Sequence, residues 1–126
     1  MDKLTRYKYI LEQLVNRYAE NQPSHGRIET FPICDPKQNH YLLMDIGWDT
    51  TGRVHAVAFH AHLEEGKVWI EWDGTDPSLS DELVTAGIPP SDIIPAFYRP
   101  EYRALTELAI TNTAQEQHNP IAVPVA

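Results

Sequence analysis

The chain has 126 residues, 42% of them apolar, with one cysteine and a formal charge of −8 at pH 7. That length suits one domain with a self-sufficient core, and the lone Cys34 excludes an internal disulfide, as fits a reducing cytoplasm. The acidic balance argues against strong autonomous DNA binding, which rests on neutralising phosphates with Lys and Arg, and no apolar run approaches the roughly 18 residues of a membrane span.

Leu4, Tyr7, Leu11, Leu14, Val15 and Tyr18 recur at spacings of three and four, predicting a helix over residues 2–20. Asp2 is placed as its N-cap, and Pro23 with Gly26 ends it. This charged, amphipathic start is unlike a signal peptide. Four strand-like segments follow: Arg27–Cys34, His40–Trp48, Arg53–Glu64 and Lys67–Asp73. Their short breaks predict an antiparallel meander, because parallel neighbours need long crossovers. A helix over about residues 78–86 stops at Gly87, with Thr75, Asp76 or Ser78 as its cap. Ser91-Asp92 opens a short element limited by Pro95, and Pro100 starts a helix across Glu101–Ile110. The tail from Thr111 to Ala126 is polar and then Pro/Val/Ala-rich, a composition that does not fold alone. The reading is an α+β domain over residues 1–110 with a tail over 111–126.

A two-residue turn at Glu65-Gly66 sets the last hairpin in register. It pairs Leu63 with Val68, His62 with Trp69, Ala61 with Ile70, His60 with Glu71 and Phe59 with Trp72. Val57, Phe59, Ala61, Leu63, Val68, Ile70 and Trp72 then form the core face, while His60, His62, Trp69, Glu71 and Asp73 point away from it. Registering the preceding hairpin sets Leu42 against Phe59 and Met44 against Val57 in the core. It places Trp48 against Arg53, and Tyr41 beside His60 on the polar face.

His60 and His62 lie about 6.5–7 Å apart at their Cα atoms on one strand face. With Glu71 they make a usable ligand set for zinc or iron, hence a metal-dependent enzyme as one alternative. The plainer account is a cross-strand His60–Glu71 pair. No nucleophile, oxyanion-hole or phosphate-cradling motif accompanies them. Asp73-Gly74-Thr75-Asp76 lacks the alternating acids of a calcium loop and reads as a strand-ending turn. Cys34 has no CxxC partner and reads as a structural thiol. A large aromatic such as Trp69 on a solvent face marks an interface, so His60, Trp69, Glu71 and Asp73 are the candidate partner contacts. Exposed aromatics also raise the expectation of self-association. From Glu64 to Asp92, eight acids stand against Lys67 alone, a face suited to a basic partner. Lys3, Arg6, Lys8 and Arg17 leave weak DNA contact through the first helix as a further alternative.

Many motifs fall in order at close to one family's spacing. They include His40-Tyr41, Gly47-Trp48, Arg53-Val54, Gly66-Lys67-x-Trp69-Ile70, Asp73-Gly74-Thr75, Glu82-Leu83-Val84, Gly87-Ile88-Pro89, Asp92-Ile93-Ile94, Phe97, Pro100, Arg103 and Thr106. In these the chain resembles the cyanobacterial XisI family, the fdxN element excision controlling factors, over about residues 1–110. His62 stands where the family pattern has Asp, and Leu79-Ser80 replaces Ile-Ala, so His62 is not read as a family-wide functional residue. The resemblance implies an accessory, non-enzymatic role in programmed DNA rearrangement beside a separate recombinase and a nuclease-like companion, XisH. It carries over no catalytic or cofactor-binding residue, and it makes a XisH-like protein the expected partner.

Overall fold

A computed structural model describes residues 2–21 and 27–101. The rest of the helix expected from Pro100, and the tail, lie outside the described residues. The first helix, α1, spans Lys3–Asn21. Asp2 caps it as expected, its Oδ1 accepting the Thr5 N–H at 2.7 Å. Tyr7, Leu11, Leu14 and Val15 are buried along one stripe, whereas Leu4 in the first turn is exposed.

The strands are β1 (Arg27–Asp35), β2 (His40–Asp49), β3 (Gly52–Glu64) and β4 (Lys67–Asp73). They form the predicted antiparallel meander. The Glu65-Gly66 turn has positive φ at both residues, 55° and 73°, the backbone that a tight hairpin of this twist requires. At Gly47 the reason for glycine is close approach: a Cβ there would lie 1.9 Å from the Arg27 carbonyl oxygen.

The sheet has a fifth strand that the sequence did not disclose. After α2 (Leu79–Thr85) and a 3-10 turn at Pro90–Asp92, β5 (Ile93–Pro95) adds to β4 in parallel, giving the order β1-β2-β3-β4-β5. The intervening helix supplies the crossover that parallel pairing needs. Ser78 caps α2, its side chain accepting the Asp81 N–H. The helix ends in a Schellman motif, with Gly87 N–H bonded to Val84 C=O, Ile88 N–H to Leu83 C=O, and Gly87 at φ +106°.

One core joins both helices to a single sheet face. Tyr7, Leu11, Leu14 and Val15 of α1 and Leu79, Leu83 and Val84 of α2 meet Tyr41, Leu43, Phe59, Ala61, Leu63, Val68 and Ile70. Each large side chain so buried contributes about 1.5–3 kcal/mol relative to exposure. Polar ties lock the helices in place. Arg17 of α1 pairs with Glu82 of α2 at 2.7 Å, and Lys3 pairs with Asp92 at 2.9 Å. The Tyr7 hydroxyl donates to the same Asp92 at 2.5 Å.

Two β-bulges correct the expected registers. On β3 the register shifts between Leu43 and Met44, with Ala58 as the extra residue. Leu43, not Leu42, therefore faces Phe59 in the core, and Tyr41 is fully buried opposite Ala61 instead of joining the polar face. Met44 pairs with Val57 and Trp48 with Arg53 as expected, but Met44 and Val57 lie on the face away from the helices instead of in the core, because β2 turns Tyr41 and Leu43 inward. On β4 the shift falls at Glu71, so Trp72 pairs with His60 and Asp73 with Phe59. A bulge places two residues against one, and every later side chain then changes face. Trp72 is accordingly 54% exposed instead of lying in the core.

Candidate functional site

The face away from the helices is built in cross-strand rows. Directly paired residues share a face, so Asp35, His40, His62 and Trp69 form one row across β1 to β4. Ile33, Leu42, His60 and Trp72 form the next, and Phe31, Met44 and Val57 a third. Both described helices pack on the opposite face. Phe31, Ile33, Trp48 and Trp72 are 39%, 44%, 49% and 54% exposed. Arg53 lies over the Trp48 ring, 5.4 Å from its centroid, a cation–π contact at the far end of β2.

Of the four candidate contacts, three stand on this face. His60 is half-buried, with its Nε2 2.9 Å from His40 Nδ1. Burial, the neighbouring His40 and, more weakly, His62 hold its pKa below the ordinary value, against a raising pull from Glu71. Glu71 is exposed at the bulge and meets His62 instead of His60, with 3.1 Å between Oε2 and Nε2. Trp69 is half-buried rather than exposed. It stacks on His62 at 6.2 Å between centroids, donates its indole N–H to the Glu64 carbonyl at 3.0 Å and has Ile94 of β5 alongside.

Asp73 is not with them. The bulge turns it to the rim of the core face, where it closes the entry to α2. Its Oδ1 accepts the Thr75 N–H at 3.0 Å, and its Oδ2 accepts the Leu79 N–H at 2.7 Å. Asp73 is thereby a structural cap. Trp72, Phe31, Ile33 and His40 are among the members of the face that sequence reasoning missed, as are Leu42, Met44 and Val57, which were expected in the core. Trp72 was hidden by the bulge. His40 was hidden by the bulge at Ala58, which changes the expected β2–β3 register, and Phe31 and Ile33 sit on β1, whose pairing the candidate set did not include.

The three imidazoles do not converge on a cation position. His40 and His62 stack with 20° between their planes, while the His60 and His62 rings lie 6.5 Å apart. Among the described residues no group of three His, Cys, Asp or Glu is arranged to hold a metal ion. The basic residues of α1 are engaged within the fold. Lys3 pairs with Asp92, Lys8 donates to the Pro36 carbonyl at 3.1 Å, Arg17 pairs with Glu82, and Arg6 lies over the Tyr7 ring. Two shallow clefts border α1, one lined by Arg17, Tyr18, Pro77 and Glu82, the other by Tyr9, Ile10, Gln13 and neighbours toward Ala86. Neither gathers a catalytic set. Among the described residues no helix is long and apolar enough to cross a membrane.

Comparison with known proteins fits this architecture. A crystal structure of a XisI-like protein from Anabaena variabilis ATCC 29413 superposes with a TM-score of 0.76 at 31% identity, covering 82% of this chain and 95% of that one. The structure of fdxN element excision controlling factor XisI from the same organism gives 0.72 at 36% identity, covering 86% and 99%. No curated protein matches the chain. The model of the XisI protein family matches residues 1–110, spanning α1, the whole sheet and α2, and the chain belongs to the XisI family.

Proposed function

We propose that this protein is a non-catalytic controlling factor in DNA excision, acting by docking its outer sheet face on a protein partner, with a XisH-like protein as that partner. The reading rests on the exposed Phe31, Ile33 and Trp72, spread over two neighbouring rows beside the histidines on the face opposite both described helices. Exposed aromatics gathered on one face are the usual anchors of protein interfaces. A structural neighbour's name, fdxN element excision controlling factor, supports the regulatory half of the reading. The charge of −8 suits contact with a basic protein better than with DNA.

Mixing the purified chain with a XisH-like protein tests this. Co-elution on gel filtration at micromolar concentration is the expected result, and separate elution contradicts it. A dimer of the chain alone in light scattering, dissociated by Trp72→Ala, would assign the face to a second copy instead.

A further inference from the structure

Three imidazoles crowd one end of the outer face. His40 of β2 pairs with His62 of β3, and His60 lies two positions along β3. The ring centroids are 5.0 Å apart for His40–His62 and 5.2 Å for His40–His60. The 2.9 Å contact of His40 Nδ1 with His60 Nε2 needs a proton on one nitrogen and a lone pair on the other. It survives a single added proton. It does not survive two, because both facing nitrogens are then donors.

Among the described residues, few counter-charges face this group. On β4, Glu71 is committed to His62 at 3.1 Å. On β1, Asp35 pairs with His40 in the ladder, but its Oδ1 accepts the Lys37 and Gln38 backbone N–H groups at 3.1 Å and 3.0 Å. Lys67 and Glu64 face one another in the next row. His55 is further along β3, opposite Ile46. The remaining neighbours in the two rows, Ile33, Leu42, Trp69 and Trp72, carry no charge.

We infer that His40, His60 and His62 form a proton-operated latch on the outer face, closed by the His40–His60 hydrogen bond and the His40–His62 stack when neutral. Acid opens it by placing a proton on each of the two facing nitrogens, which adds positive charge to this end of the face. A basic partner docked there is released by that change. This last consequence rests on the docking function above, whereas the latch itself does not. Burial and the adjacent His40 make His60 resist protonation in the fold. The unfolded chain therefore binds more protons as pH falls through the free imidazole value of 6.5, and stability drops over that interval.

The test is an NMR titration of histidine ring signals in the isolated chain, which needs no partner. The latch predicts a His60 midpoint below 6.5, with the His40 and His60 signals moving in linked steps. In His40→Ala the His60 midpoint rises, because the neighbouring ring that opposes its protonation is gone. A His60 midpoint at or above 6.5 in the wild type overturns the latch. So does a midpoint unmoved by His40→Ala in a variant whose melt at pH 7.5 shows it folded. Should His40→Ala not fold, the wild-type midpoint and the presence or absence of linked steps decide alone.

Discussion

Trp72 stands opposite His60 across β3 and β4 with its indole 54% exposed, at the bulge where Glu71 is the extra residue. The bulge thus brings a large aromatic onto the face that carries the histidines. Anchors of this kind contribute disproportionately to association. Trp72→Ala is expected to weaken partner binding by about 2 kcal/mol or more, roughly thirtyfold. Folding stability should change by no more than about 1 kcal/mol, because half of the ring is already in water. Calorimetric titration and a urea melt of the same variant separate the two effects.

Asp73 predicts the reverse pattern. It accepts backbone N–H groups from Thr75 and Leu79, so Asp73→Ala leaves the entry to α2 without its acceptor. Loss of about 1–2 kcal/mol of stability is expected, with partner affinity unchanged. A binding defect in a variant of normal stability would place Asp73 in the interface after all.

The Tyr7–Asp92–Lys3 cluster gives a pH dependence. Burial pushes the Asp92 carboxyl up, but the Tyr7 hydroxyl and the Lys3 ammonium outweigh it and hold the pKa below 3.8. A depressed acid stabilises the fold above its unfolded pKa, and that contribution is lost as pH falls through the folded value. Tyr7→Phe should therefore lower stability by about 1–2 kcal/mol at pH 7. The deficit against wild type should shrink below pH 3.8. Urea melts at pH 7 and pH 3 measure both ends.

Gly47 should tolerate no side chain. A Cβ would meet the Arg27 carbonyl carbon at 2.8 Å and its oxygen at 1.9 Å, both backbone atoms that cannot swing aside. Gly47→Val is expected to cost about 1–3 kcal/mol. Amide exchange should quicken first at the Arg27 end of β1.

Much of this fold was readable because its periodicities are plain. The stripe of Tyr7, Leu11, Leu14 and Val15, the Glu65-Gly66 turn and the Gly87 stop each have a local physical cause, and each stands where the sequence placed it. The bulges at Ala58 and Glu71 have no such local mark. A bulge is decided by how two strands fit on a shared core, and one extra residue is enough to exchange Trp72 with Asp73 between faces. The same ambiguity hid Tyr41, whose ring is fully buried and whose hydroxyl is pushed up to about 12, first by burial. Strand β5 was hidden because three residues, Ile93–Pro95, are too few to show a period. The histidines were visible in sequence, but their company was not. His40 joins them only through the β2–β3 pairing.

The docking of the outer face is tested most directly by NMR of the isotope-labelled chain as a XisH-like protein is added. Docking through this face shifts the Trp72 indole, His60 ring and Met44 methyl signals on binding, while Tyr9 on the solvent side of α1 does not move. Shifts confined to Tyr9 and its neighbours, or an unchanged Trp72 at saturating partner, would contradict it.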